Sequence, residues 1–449
     1  MEQQDFFAST QLLAFNPILK ETIEIRTQYF QYLKKIILLV KWDKCKYTKA
    51  QIAFYRETLC GDGVPFMSKE NKIPTYMSYL LPYDLALMVA FHPKLIHVKT
   101  ITTIIDQIIR DFDLPKEHAC FLYYEFEAAL GNPAMWNEIL ESKIIQNFKQ
   151  YITLVKANID FIQKKPSRIL ITATMSAGKS TLINSLTGKT VCRMQNMACT
   201  SKIHTIISKA FEDSTTSEYD HDLLMNATKE DLFANNEENL SSKITVGTYF
   251  NSALGGERII LLDSPGVNSS EYDEHRKISN EMLHSKEYKL VLYVMNATQL
   301  GTNDEECHLN TVKKEIGRTK VIFVINKIDQ FLSEDDNLFD VIENQRRFLA
   351  ATGFSNPIIC PVSARAAYLV RKSKQEELTQ IERRELDTYI DKFDQHSMAT
   401  YYEKHLKCPS LSRTTDESTE LLKNCGFAYL EQIIKHFSNG GIINGTDLC

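Results

Sequence analysis

Residues 173–186, "ATMSAGKSTLINSL", decide how this chain is read. They contain the Ser-Ala-Gly-Lys-Ser core of a phosphate-binding loop, but Ala173 stands where the usual G-x-x-x-x-G-K-[ST] pattern has its first glycine. The run before them, "RILIT", is apolar and β-branched, and a helical segment follows, which is the strand–loop–helix setting such a loop requires. Backbone N–H groups around Ser176 to Ser180 can wrap a β-phosphate, Lys179 can reach the β- and γ-phosphates, and the Ser180 hydroxyl can ligate magnesium. The expected nucleotide contacts are Met175, Ser176, Ala177, Gly178, Lys179, Ser180 and Thr181. Gly178 and Lys179 carry most of this geometry, and a methyl group at Ala173 is tolerated if φ there is negative.

From Arg168 onward, short β-branched runs alternate with helical segments, the pattern of a parallel sheet with crossover helices. The expected strands are "RILITAT", "HTIISKAF", "RIILLD", "KLVLYVMNA", "KVIFVIN" and "PIICPVS". A polar stretch, 212–243, reads as a surface insertion with at most a short helix, and 366–407 as a charged helical segment. The helix "GFAYLEQIIKHF" should return to close the sheet, leaving 441–449 as a frayed tail. Residues 1–165 show helical periodicity throughout, and 135–165 reads as one long helix ended by Pro166. The organisation expected is an N-terminal helical region, 1–165, followed by an α/β domain, 166–440.

Further motifs sit at the ends of later strands. "DSPG", 263–266, lets Asp263 hold the magnesium shell while the Gly266 N–H approaches the γ-phosphate. "NKID", 326–329, lets Asp329 accept from both N1–H and the exocyclic amine of guanine, with Asn326 bracing the loop and the Lys327 stem covering the base. "PVSAR", 361–365, brings Ser363, Ala364 and Arg365 to the base, with a backbone N–H for guanine O6. Thr200, in "NMACTSKIHT", is the expected residue to contact magnesium and close over the γ-phosphate. The elements fall in one order after the right strands, which identifies a site for GTP and GDP.

Three features resemble the dynamin superfamily, in particular bacterial dynamin-like proteins: Ser-Ala-Gly-Lys-Ser-Thr followed by "LINSLTG", apolar Val267 after "DSPG", and "NATQLGTNDEE" at 296–306. The resemblance implies a Ras-like P-loop GTPase domain with a mainly parallel sheet, preceded by the all-helical region. It implies GTP hydrolysis with Mg2+, accelerated when two GTPase domains pair, and a monovalent cation in the paired state. By the same resemblance Ser176 positions that cation and the catalytic water, where the plainer alternative is a loop residue without a catalytic part. Lys179, Thr200 and Gly266 complete the catalytic set. Asp304 becomes a contact to the opposite protomer, or else a solvated helix N-cap.

The formal charge of −5 argues against nucleic acid as a partner, and ten scattered cysteines without a C-x-x-C pair suggest reduced thiols in a cytoplasm. "MEQQDFFAST" lacks the basic and apolar regions of an export signal. Residues 34–49, "KKIILLVKWDKCKYTK", interleave six lysines with apolar residues. They read as a core helix with snorkelling lysines, or as a basic surface for peripheral membrane contact. Dynamin-like proteins continue into a long stalk, whereas little follows "IIKHF" here, so the sequence reads either as a piece of a longer chain or as one half of a two-protein system with a second dynamin-like protein as partner. Helical-domain movement or membrane remodelling is then the expected output. The alternative is a nucleotide-gated interaction module with little turnover that recruits a protein partner.

Overall fold

The computed structural model describes residues 11–61, 73–88, 96–194, 202–234, 243–265, 273–317, 319–330, 338–412 and 415–441. The chain divides into two compact units, Met1–Lys165 with Lys209–Ala227, and Pro166–Ser208 with Thr228–Cys449.

The first unit is built from amphipathic helices. In the helix Val98–Asp111, Ile101, Ile104, Ile105 and Ile108 are buried, the i, i+3, i+4, i+7 spacing that puts one apolar stripe on the core. The single long helix expected over 135–165 is not formed. The helix Trp136–Glu141 stops at Ser142, whose backbone is extended at φ −70° and ψ 138°. The Ser142 hydroxyl accepts from the N–H of Ile144 and opens a 3-10 turn, Lys143–Phe148, before the helix Lys149–Gln163 begins. A serine able to cap outweighs uninterrupted periodicity, because capping supplies partners for N–H groups that a helix start leaves bare. The polar stretch after residue 208 also differs from expectation. It contributes a small antiparallel hairpin to this unit, and a short helix, Lys229–Ala234, to the other.

Among the described residues the strands are β1 Ser167–Ala173, β2 Ile203–Ser208, β3 Ser217–Tyr219, β4 Leu223–Leu224, β5 Lys243–Thr248, β6 Ile259–Asp263, β7 Leu290–Asn296, β8 Lys320–Asn326 and β9 Ile358–Val362. β3 and β4 form the hairpin of the first unit. In the second unit the strands run in the order β5-β2-β6-β1-β7-β8-β9. All neighbours are parallel except β2 and β6. Strands covered on both faces read as continuous apolar runs, and β6, β7 and β9 are buried at every position. β5, "KITVGT", was not among the expected strands; it begins at the end of the polar stretch read as an insertion. The helix Phe427–Ser438 packs on β9, as its apolar stripe suggested.

Deep in the first unit, Asp84 is fully buried and accepts hydrogen bonds from Asn16 Nδ2 at 3.0 Å, Tyr55 Oη at 2.8 Å and Tyr29. Burial pushes its carboxyl from 3.8 up to about 6, against the three donors. A folded-state value above the unfolded one means that ionisation destabilises the fold. The penalty is absent below about pH 4, grows as pH rises to about 6, and is complete above that. Asp84→Asn should remove this slope, flattening the stability of the full chain between those limits by roughly 2–3 kcal/mol. Chemical denaturation of both proteins at either end of the range checks it, and an unchanged slope would place the titration elsewhere.

Candidate nucleotide-binding site

β1, β6, β7, β8 and β9 all point the same way, so the loops that follow them emerge at one edge of the sheet, where open α/β sheets bind ligands. Ala173 is the last residue of β1 and pairs with Val294 in extended backbone, so a glycine is not needed there. The left-handed turns of the phosphate loop fall instead on Ser176, at φ 60°, and Gly178, at φ 88°. Gly178 caps the helix Lys179–Thr187, which places Lys179, Ser180 and Thr181 in its first turn, where helix N–H groups favour an anion. Met175 is half-buried, Ala177 buried and Ser176 exposed.

Asn326, the last residue of β8, joins this loop to the loop after β9. Its Nδ2 donates to the Ala177 carbonyl at 2.9 Å and its Oδ1 accepts from the Ala364 N–H at 3.0 Å. A Cβ on Gly178 would lie 2.4 Å from Asn326 Nδ2, so only glycine lets the two loops approach. The Lys327 stem passes the same spot, its Cε 3.8 Å from that Cβ position. Asp329 is buried, and its Oδ1 accepts from the Ser363 hydroxyl at 2.5 Å. Burial raises the Asp329 pKa, and the Ser363 bond works against that rise. Ser363 also caps the helix Ala364–Ser373 by accepting from the Ala366 N–H. Because the Ala364 N–H is bonded to Asn326, guanine O6 would meet it in competition with the amide. The Arg365 guanidinium forms a bidentate pair with Glu385, at 2.9 and 2.7 Å.

Asp263 ends β6, fully buried, and neither carboxylate oxygen has a hydrogen-bond partner. Burial raises its pKa to about 6, and the Lys179 charge works against that rise. Burial likewise lowers the Lys179 pKa, with Asp263 acting in the opposite direction. An orphaned buried carboxylate within electrostatic reach of first-turn Lys179 fits a hard cation such as Mg2+, which takes oxygen ligands and would supply the missing partners. Ser180 and Asp263 would hold it, and the ion would offset phosphate charge. Thr200 and Gly266 lie outside the described residues.

Asp304 is exposed, and the cap of its helix, Asn303–Ile316, is Thr302 rather than Asp304. Asn184 was missed by sequence reasoning. Fully buried, it accepts from the N–H groups of Val191 and Cys192 and donates to the Cys192 carbonyl, fixing the chain that leaves the phosphate-loop helix. An amide in the largely apolar helix run "LINSL" was its signal. His204 is a buried β2 residue in register with Asp263.

Residues 169–328 match the model of the dynamin family. No curated protein matches the chain. Among solved structures, a bacterial dynamin of an oligomerised pair described as sensing and tethering membranes is 14% identical. That match covers 86% of this chain and 64% of that one, with a TM-score of 0.38. Era from Aquifex aeolicus, bound to GDP and aluminium fluoride, is 21% identical over 45% of this chain and 52% of its own, with a TM-score of 0.28. The G domain of the T. maritima FeoB iron transporter is 15% identical over 44% of this chain and 89% of its own, with a TM-score of 0.26. The chain thus spans about half of the Era chain and just under two thirds of the bacterial dynamin. The family match falls on the phosphate loop, "DSPG" and the start of "NKID", so residues 169–328 are similar to the GTPase domain of the dynamin family.

Proposed function

We propose that the second unit binds magnesium and GTP through Met175–Thr181, Asp263, Asn326, Lys327, Asp329 and the 363–365 loop, and hydrolyses the γ-phosphate anhydride faster when two such units pair. The observation that carries this reading is Asn326, whose one amide ties the phosphate loop to the base loop. The sequence offers no glutamine after "DSPG", so water orientation falls to Thr200, Gly266 and groups supplied on pairing. Two features support pairing. Ser176 is exposed in a left-handed conformation that non-glycine residues adopt only at a cost. The exposed 298–304 loop is braced at both ends, by Asn296 accepting from Thr298 and by buried Glu305 accepting from the Gly301 N–H. A monovalent cation at Ser176 belongs to the same paired state.

Contact with a membrane is the outermost part of this reading. No helix among the described residues is long and apolar enough to cross one. Trp42 is buried and Lys35 pairs with Asp111 at 2.6 Å, which fits a core helix. Its end, however, exposes Leu38 and Leu39, by 52% and 45%, in a stretch that also exposes Lys34, Lys41 and Lys44. Cosedimentation with phosphatidylserine vesicles should be lost in Leu38→Ser/Leu39→Ser. Wild-type protein that stays in the supernatant would remove the membrane from the scheme.

Asp329→Asn should move preference from GTP toward XTP, because an amide presents a donor where guanine also donates and xanthine accepts. Retained GTP selectivity in a binding competition would refute the base assignment. For pairing, kcat should rise with protein concentration. Ser176→Ala and Ser176→Gly should both keep GTP affinity while losing about 10²-fold of the concentration-dependent turnover. Glycine relieves the backbone but lacks the hydroxyl, so a glycine variant with full turnover would reduce Ser176 to a loop-shaping residue. Flat, near-zero turnover in wild type would favour a nucleotide-gated recruitment module.

A further inference from the structure

The helix Gln380–Gln395 lies outside every nucleotide motif, yet it bonds to both loops that would read the base. Lys392 Nζ donates to the main-chain carbonyl of Asp329 at 2.5 Å. Two turns earlier along the axis, Glu385 grips Arg365 of the 361–365 loop through two bonds, at 2.9 and 2.7 Å. Residues 385 and 392 are two turns apart and share a face. Tyr389 lies between them on that face, and its hydroxyl donates to Glu385 Oε1 at 2.8 Å. The contacts therefore form one row: a cation on the "NKID" loop, a tyrosine in the middle, and a carboxylate on the "PVSAR" loop.

The helix is itself held mainly by polar ties. Of its sixteen residues only Leu386 and Phe393 are buried. Its N-terminus is fixed by a capping box between Thr379 and Glu382, and Lys372 donates to both Glu382 oxygens, at 2.6 and 2.9 Å. The row thus has a fixed origin from which to set the two loops. Its end falls on the residue whose carboxylate must meet two N–H groups of guanine. The Lys392 charge also favours the ionised form of that carboxylate, whereas Glu385 opposes it.

We infer that Lys392, with Glu385 through Arg365, is a positioning residue for base selection, so that this helix sets how strongly the site prefers guanine over a purine lacking the 2-amino group. The inference rests on the assignment of Asp329 as the base acceptor. Lys392 acts by fixing the Asp329 backbone, and Glu385 by fixing the loop that carries Ser363, the hydrogen-bond partner of Asp329.

The test is the ratio of GTP to ITP affinity in the full chain, because inosine keeps N1–H and lacks the exocyclic amine. Lys392→Met should narrow that ratio about tenfold, chiefly through weaker GTP binding, and Lys392→Arg should restore it, since a guanidinium can still donate to the carbonyl. Glu385→Gln should narrow it in the same direction. General loosening of the fold would weaken GTP and ITP alike and leave the ratio where it was; that result in Lys392→Met, or a failure of Lys392→Arg to restore the ratio, overturns the inference. Asp329→Asn separates the two levels. If it collapses the ratio while Lys392→Met does not, only the role of the helix fails. If Asp329→Asn itself leaves the ratio intact, the base assignment fails and takes the helix with it.

Discussion

The site depends on one buried amide. Asn326 is 2% exposed and satisfies both ends of its side chain, donating to the loop after β1 and accepting from the loop after β9. Each bond contributes about 1 kcal/mol net, but a buried group left unpaired costs more, so the arrangement is hard to open partway. It also dictates the glycine opposite. Gly178 is required by its left-handed φ and by its approach to Asn326, two independent reasons at one position. The consequence is functional. The loop that would hold phosphates and the loop that would hold a base cannot drift apart, which pre-orients a nucleotide along its length.

Around that brace, burial makes the charged groups costly in the ligand-free protein. Lys179 and Asp263 each shift toward neutrality, and each partly stabilises the other's charge. A triphosphate and a divalent cation would bring the opposite charges to these groups, so their binding would relieve a cost already present in the fold. Asp329 is treated differently. It is buried as well, but the Ser363 hydroxyl and the Lys392 charge favour its ionised form, the form able to accept two N–H groups.

Much of this was legible in the sequence because parallel strands buried on both faces are unbroken apolar runs, and each motif begins where a run stops. Six of the strands around the site read directly. β5 did not, since it begins at the end of the polar stretch read as an insertion, and the short strands Ser217–Tyr219 and Leu223–Leu224 carry too few residues for a period to show. The break at Ser142 was missed because periodicity over 135–165 continues across it, and only the capping chemistry of one side chain distinguishes two helices from one. Ala173 had been the anomaly of the phosphate loop, yet the strained residue is Ser176, because the strand simply runs one residue further than the motif implies. Tertiary partners such as Glu385 for Arg365 could not be read at all: a bidentate pair between positions 365 and 385 has no local signature.

Chain connectivity adds a constraint that the motifs do not show. β2 is the one antiparallel neighbour of β6, and its His204 is in register with Asp263. The residues that follow β2 belong to the helical unit, where Lys209 is fully buried and pairs with Asp213 at 3.0 Å. Asp213 also accepts from the Gln11 N–H at 2.6 Å. The chain therefore leaves the strand bonded to the carboxylate-bearing one and enters, at its first residue, a buried ion pair of the other unit. Breaking one partner of such a pair is costly, so the segment is firmly held within the helical unit it enters. With re-entry after Ala227 and the passage at Lys165 to Pro166, three covalent crossings link the units, one of them starting from the strand beside Asp263.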